Sequence, residues 1–448
     1  MLKITRKNTL LLGTLILTAS GIICRILGFL YRIFLSRRIG AEAFGIYQLA
    51  TPLYALMLSL GAGGMQTVLS RFVASYLAKK EICLAAGCGI VVILSFSTSI
   101  FLFFSADFIG TRLLFEPRTI LLFRILSLGI LPSGIHNCLS AWYLGQNQTA
   151  LPSFCQLLEQ FVRMGASYLA WLFCLSTSLP SAAVAAFGTA AGELFSCLFL
   201  MACLSVSHSR SPQKYHPISV FFKEKTLWYD TFRELAVLNL PLTLNRILLN
   251  VLHSIESALL PGCLVTSGLS RKAALSQYGI LTGMALPMIF FPSAITHAVS
   301  VMLLPGVAKQ QADGTPEQIS DTIRYTISFC VLLGTSAVFA FFFFGPWLGR
   351  FLFQNEEVGV FLRILSFLSP FLYLETTLGS ILNGLGKTSL VFFQNLAGDV
   401  IRILAILFLV PVFGIRGYLY GILASELTIM TMALLFLHRE SANGFAVH

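Results

Sequence analysis

Apolar runs wide enough to cross a hydrocarbon core recur twelve times along the 448 residues, at roughly 10–36, 44–77, 82–106, 118–144, 150–175, 182–207, 233–261, 274–307, 321–345, 358–383, 388–412 and 417–438. A helix rising ~1.5 Å per residue needs about 20 residues to traverse a ~30 Å hydrocarbon layer, and each run supplies that length. The pattern predicts an all-α polytopic membrane protein with about 12 transmembrane helices. The second run carries Pro52, and the eighth carries Pro287, Pro292 and Pro305, so kinks or tilts are predicted in both.

One long polar interval breaks the series, with Arg210, Lys214, Lys223 and Lys225 inside it and Arg233 at its end. It divides the chain into an N-terminal six-helix lobe at 1–207 and a C-terminal six-helix lobe at 233–438. A linker at 208–232 joins them and a short tail follows at 439–448. With the N-terminus inside, cytoplasmic segments hold about thirteen Lys and Arg and external ones about eight, which favours cytoplasmic termini and a cytoplasmic linker. Arg37 and Arg38 then fall outside, against the trend.

The polar positions repeat between the halves. Arg124-Ile-Leu-Ser127 recurs as Arg363-Ile-Leu-Ser366, and at the same offset of 239 residues Gly145 meets Gly384, Thr149 meets Thr388 and Arg163 meets Arg402. Tyr47 and Thr51 correspond to Tyr278 and Thr282, and Arg25-Ile26-Leu27 to Arg246-Ile247-Leu248. Six helices per half preserve orientation, so the repeats are parallel and pseudo-symmetric. That arrangement suits a carrier whose two lobes rock about a central cavity.

Charges inside apolar runs mark the candidate chemistry. Gly21, Arg25, Gly28 and Arg32 are spaced four, three and four apart and share one helix stripe. An arginine at mid-membrane depth costs roughly 2.5–3.5 kcal/mol on insertion scales, so it faces protein or a wet cleft. For Arg32, near the helix end, snorkelling to the headgroups is the alternative. Arg246, Asn250, His253 and Ser257 repeat the spacing in the seventh run, with Glu256 beside them. Two opposed guanidiniums repel unless an anion lies between them, and arginine's planar fork suits phosphate oxygens. Arg25, Arg32, Arg246, Asn250 and His253 are therefore the candidate substrate-binding residues. The alternative for Arg246 is a packing pair with Glu256 or another carboxylate. Glu159 with Arg163, and Asp399 with Arg402, lie one turn apart and form structural pairs or, alternatively, ion-coupling groups together with Glu256.

Composition narrows the class. With 56% hydrophobic and 11% charged residues, the chain lies far from soluble domains, which carry about 25% charged residues. The net charge of +11 comes with no extended basic patch, so no nucleic-acid partner is expected. The ten cysteines form no C-x-x-C, and no Cys/His cluster has metal-ligand spacing, so no metal is expected. Nothing in the sequence matches a phosphate-binding loop, a nucleophile elbow or a dinucleotide fingerprint, so no catalytic residues and no cofactors are expected. Transport energy would come from an H+ or Na+ gradient, the membrane potential or the substrate gradient. Gly188-x-x-x-Gly192, Gly279-x-x-x-Gly283 and Gly417-x-x-x-Gly421 predict close helix packing.

Leu240-Pro-Leu-Thr-Leu-Asn-Arg246, Tyr278-Gly-Ile-Leu-Thr-Gly-Met-Ala-Leu-Pro287 and Phe291-Pro-Ser-Ala-Ile-Thr296 resemble the stage V sporulation protein B-like family of polysaccharide exporters, as do Arg25-Ile-Leu-Gly-Phe29 and Arg37-Arg-Ile-Gly40. That family belongs to the multidrug/oligosaccharidyl-lipid/polysaccharide (MOP) exporter superfamily. The resemblance implies a MATE-like two-lobed fold working by alternating access. It also implies an undecaprenyl-pyrophosphate-linked saccharide moved from the inner to the outer leaflet of a bacterial cytoplasmic membrane. Membrane lipids and cell-wall synthesis proteins are the implied partners, and a monomer suffices. In lipid II flippases an Arg-Asp pair follows the first helix's Gly-Phe, whereas here Leu30-Tyr31-Arg32 stands there without the acid. A cation-coupled drug exporter and a non-transporting scaffold are the alternatives.

Overall fold

A computed structural model describes residues 6–76, 80–176, 180–210 and 225–442. Most of the linker, including Lys214 and Lys223, and the tail beyond residue 442 lie outside the described residues. Within them nearly every residue is helical and no strand occurs.

The first helix, α1 (Arg6–Ala62), breaks at Gly40, whose φ of 80° is a left-handed conformation that costs glycine nothing. Its two arms form a hairpin. Gly13 packs on Thr149, just beyond α4 (Thr119–Gly145), while Gly145 at the end of α4 packs on Ser70 of α2 (Met65–Ser75). Both ends of the hairpin therefore meet one end of α4. There follow α3 (Lys80–Phe108), which closes in a π-helical turn over Ile109–Leu113, α5 (Ala150–Ser176) and α6 (Ala183–Arg210).

The second series begins with α7 (Lys225–Thr266) and α8 (Arg271–Gly279), the latter capped by Ser270 Oγ accepting the Ala273 amide. A π-helical turn at Ile280–Ala285 leads into α9 (Leu286–Phe290) and α10 (Ser293–Ala312). Pro292 stands at the break between α9 and α10, as the proline pattern predicts. Next come α11 (Pro316–Leu348) with its own π-helical turn at Gly349–Phe353, and α12 (Glu356–Ser366), capped by Asn355 Oδ1 accepting the Glu357 amide at 2.8 Å. The series ends with α13 (Ser369–Gly384), α14 (Thr388–Phe408), the single turn α15 (Val410–Phe413) and α16 (Ile415–Ala442).

Among the described residues nine helices are long and apolar enough to span a membrane, or ten when α12 and α13, bent by 59°, count as one span. The sequence count of twelve differs because the two arms of α1, on either side of Gly40, count together as one span and because Glu159 and Arg163 interrupt the apolar run of α5. The protein is a multi-pass, all-helical membrane protein.

Contacts divide the chain into two units: Met1–Tyr31 with Ile46–Ser254, and Arg32–Gly45 with Ile255–His448. The first thirty residues of α7 thus belong with the first unit, and residues 32–45 of α1 with the second. In the first unit α4 packs on α2, α3 and α6, and α5 packs on α6. In the second, α13 packs on α10, α11 and α16, and α14 packs on α16. Each has its own apolar core, around Leu69, Leu84 and Trp142 in one and Leu378, Ile381 and Leu382 in the other.

The repeated polar residues hold equivalent local positions. Ser127 Oγ donates to Arg124 O at 2.8 Å and Ser366 Oγ to Arg363 O at 2.7 Å. The Arg124 guanidinium lies 5.9 Å over the Phe103 ring and that of Arg363 5.7 Å over Phe342, again 239 residues apart. Thr51 Oγ1 bonds Tyr47 O, and Thr282 Oγ1 bonds Tyr278 O. The internal repeat is a repeat of structure.

Candidate functional site

Along α1 the Gly21–Arg25–Gly28 stripe faces open space. A Cβ added at Gly21 or Gly28 would meet nothing within 4 Å. Arg25, between them, is exposed and makes no hydrogen bond or ion pair among the described residues. Lipid is a poor neighbour for such a group. Arg32, two turns on, lies in the second unit and reaches Gly283 O at 3.5 Å.

Arg246 and Asn250 are bonded to the protein itself. The chain breaks between α1 and α2 at Gly63-Gly64, which leaves backbone groups without helical partners. One face of α7 supplies those partners: Thr243 Oγ1 accepts from the Gly64 amide at 3.1 Å, Arg246 donates to Gly63 O, and Asn250 donates to Ser59 Oγ at 2.6 Å. Asn239 completes the ladder by accepting from Thr243 at 3.2 Å. Gly64 is required for this approach, because a Cβ there would fall 2.4 Å from Asn239 Oδ1. Spacing correctly placed Arg246 and Asn250 on one face, and the surface that face meets is the α1–α2 break. Arg246 does not pair with Glu256. His253 is exposed on the next turn and has interactions of its own.

Each unit also contains a buried charged cluster beside a cavity. In the first, Arg163 of α5 bonds Glu159 one turn earlier and lies 3.8 Å from Glu193 of α6. His136 of α4 turns Nδ1 towards the other oxygens of both acids, 4.0 Å from Glu159 Oε2 and 3.7 Å from Glu193 Oε2. Ser196 Oγ donates to Glu159 Oε2 at 3.3 Å. The neighbouring cavity, about 260 Å³, is lined by Ser133, His136, Asn137, Gln156, Glu159 and Glu193 among others.

In the second unit, Arg402 of α14 bonds Asp399 and lies 3.5 Å from Glu256 of α7 and 3.9 Å from Glu426 of α16. Tyr418 donates to Glu256 at 2.5 Å. A cavity of about 180 Å³ is lined by Glu375, Thr376, Asn383, Gln394 and Asn395. Shifted by 239 residues, His136 falls on Glu375, Asn137 on Thr376, Leu144 on Asn383, Pro152 on Val391 and Gln156 on Asn395, so the two cavities hold the same place in the repeat.

Sequence reasoning paired Glu159 with Arg163 and Asp399 with Arg402, and both pairs form. It missed that three helices contribute to each cluster. His136 carries no local motif, although the repeat offset that aligns Arg163 with Arg402 also sets it opposite Glu375.

A family profile described as polysaccharide biosynthesis protein matches residues 10–311, and a MatE profile matches residues 262–408. The chain is 28% identical over 424 residues to stage V sporulation protein B of Bacillus subtilis (strain 168), covering 92% of this chain and 80% of that protein. It is 21% identical over 430 residues to the lipid II flippase MurJ of the same organism, covering 88% and 76%. Among solved structures, an inward-facing multidrug resistance MATE family transporter of the MOP superfamily superposes with a TM-score of 0.71 at 16% identity, over 94% of this chain and 95% of that one.

Proposed function

The chain belongs to the polysaccharide biosynthesis protein family of the MOP exporter superfamily, and from that membership we propose that it flips an undecaprenyl-pyrophosphate-linked saccharide across the bacterial cytoplasmic membrane. It is a transporter rather than an enzyme. Both termini face the cytoplasm in this reading, and an H+ or Na+ gradient or the membrane potential biases the cycle through the buried acids. Cell-wall synthesis proteins supply and consume the substrate.

The observation that carries the proposal is Arg25, an exposed guanidinium without a partner among the described residues, on a glycine-flanked stripe of an apolar helix. A pyrophosphate satisfies it: charge-assisted bonds from a planar fork to phosphate oxygens contribute about 1.5–3 kcal/mol each. The glycines beside it leave room for a bulky headgroup. Alternating access then carries the polar headgroup through water while the polyprenyl tail remains in lipid.

Reconstitution in liposomes with a fluorescent undecaprenyl-pyrophosphate saccharide tests this. Arg25→Ala is expected to slow flipping about tenfold or more, the equivalent of ~1.4 kcal/mol, with an unchanged melting temperature. Arg246→Ala is expected to lower the melting temperature as well, because it removes a bond to Gly63 O. Flipping by Arg25→Ala at the native rate removes the arginine from the substrate path.

A further inference from the structure

Outside the Arg25 stripe, the first unit holds a group of side chains arranged for a different ligand. His136, Glu159 and Glu193 come from α4, α5 and α6, and their ligand atoms all lie within 4.8 Å of one another. We propose that these three residues form a binding site for a divalent transition-metal ion such as Zn2+, which ties α4, α5 and α6 together.

Three features support it independently. The first is separation. Donors bound to one zinc at ~2.0–2.2 Å lie roughly 3.3–3.8 Å apart at near-tetrahedral angles. His136 Nδ1 stands 3.7 Å from Glu193 Oε2 and 4.0 Å from Glu159 Oε2, so small rotations bring the set onto one ion. These are ion-pair rather than hydrogen-bond distances, and among the described residues His136 Nδ1 is a buried atom with no hydrogen-bond partner. A metal between the imidazole and the two carboxylates would bond all three.

The second is orientation. Arg163 takes Oε1 of both glutamates, which leaves Oε2 of each turned towards the imidazole. Ser196 Oγ adds a bond to Glu159 Oε2. Ligands fixed from behind in this way are the usual companions of a metal centre. Charge is consistent too, since two carboxylates and one guanidinium leave a single negative charge to meet the ion.

The third is access and selectivity. The cavity of about 260 Å³ borders all three ligands, and a water molecule occupies about 30 Å³, so solvent can complete the coordination shell. At the equivalent place in the second unit, Glu375 replaces His136 and the cavity is lined without an imidazole. Imidazole nitrogen suits zinc, copper, iron and nickel, whereas oxygen-only sets suit magnesium, calcium or manganese. The repeat therefore provides an internal control.

The test is zinc titration of the full-length protein, purified in detergent and stripped with chelator, with calorimetry and melting temperature as readouts. The native protein is expected to bind one Zn2+ with a rise in melting temperature. His136→Gln and Glu193→Gln are each expected to weaken binding at least tenfold and abolish the rise, while Glu375→Gln leaves both intact. Size-exclusion profiles matching the native protein establish that the variants are folded. Should His136→Gln prove unstable, Glu193→Gln carries the same comparison. No saturable Zn2+ binding by the native protein, or native affinity in the folded His136→Gln or Glu193→Gln variant, overturns the proposal.

Discussion

Arg402→Met is expected to destabilise the folded protein by about 3–5 kcal/mol, the cost of breaking a buried ion pair by removing one partner. The arginine side chain is 19% exposed, and it faces Asp399, Glu256 and Glu426, whose side chains are 5%, 12% and 4% exposed. Without it, three carboxylates from α14, α7 and α16 would remain close together away from water. Methionine conserves most of the volume, so the loss is one of charge compensation rather than packing. The melting temperature in detergent checks it.

The same substitution in the first unit should do less. Arg163→Met removes the guanidinium from Glu159 and Glu193 alone, and Ser196 Oγ still donates to Glu159 Oε2. Two features distinguish the units: three acids surround Arg402 against two around Arg163, and histidine stands in the first unit where the second has Glu375. Adding Asp399→Asn and Glu426→Gln to Arg402→Met should recover part of the stability, since both remove the charges left unmatched. If Arg402→Met melts with the native protein, the cluster is solvated and the ion-pair argument fails.

Much of this architecture was readable as a pattern. Length and periodicity gave the helices, and the polar matches gave a repeat that extends to the stacking of Arg124 on Phe103 and Arg363 on Phe342. Local spacing predicts which residues share a helix face, and it placed Arg246 with Asn250 correctly. It carries no information on what the face meets, which here is the carbonyl of Gly63 and the hydroxyl of Ser59, 183 and 191 residues away. Nor does it reveal that residues 32–45 of α1 belong with the second unit, because membership depends on contacts distant in sequence. His136 was illegible for another reason. A single histidine in an apolar helix has no local signature, and only its alignment with Glu375 distinguishes it from a packed core residue.

Gly279→Val is expected to prevent stable assembly of the second unit, with an effect that equals or exceeds that of Arg402→Met. Gly279 has an ordinary helical φ of −64°, so conformational freedom is not what it provides. Proximity is. A Cβ at Gly279 would lie 2.3 Å from Ala41 O and 2.6 Å from Gly45 N, and one at Gly45 would lie 2.0 Å from Leu275 O. The two glycines bring the backbone of α1 just beyond its break onto the backbone of α8. Overpacking usually costs 1–3 kcal/mol because side chains rotate away, but a carbonyl oxygen has no rotamer to change and the helices themselves must separate. Gly306→Ala is the matched control: its Cβ would meet nothing within 4 Å, and alanine in a helix is favoured over glycine by about 0.8–1.0 kcal/mol. The first substitution should abolish the folded, monodisperse protein in detergent and the second should raise its melting temperature slightly. A folded Gly279→Val with native melting would mean that α1 and α8 do not approach this closely, and with that the close-packing role assigned to the Gly279-x-x-x-Gly283 motif would fall.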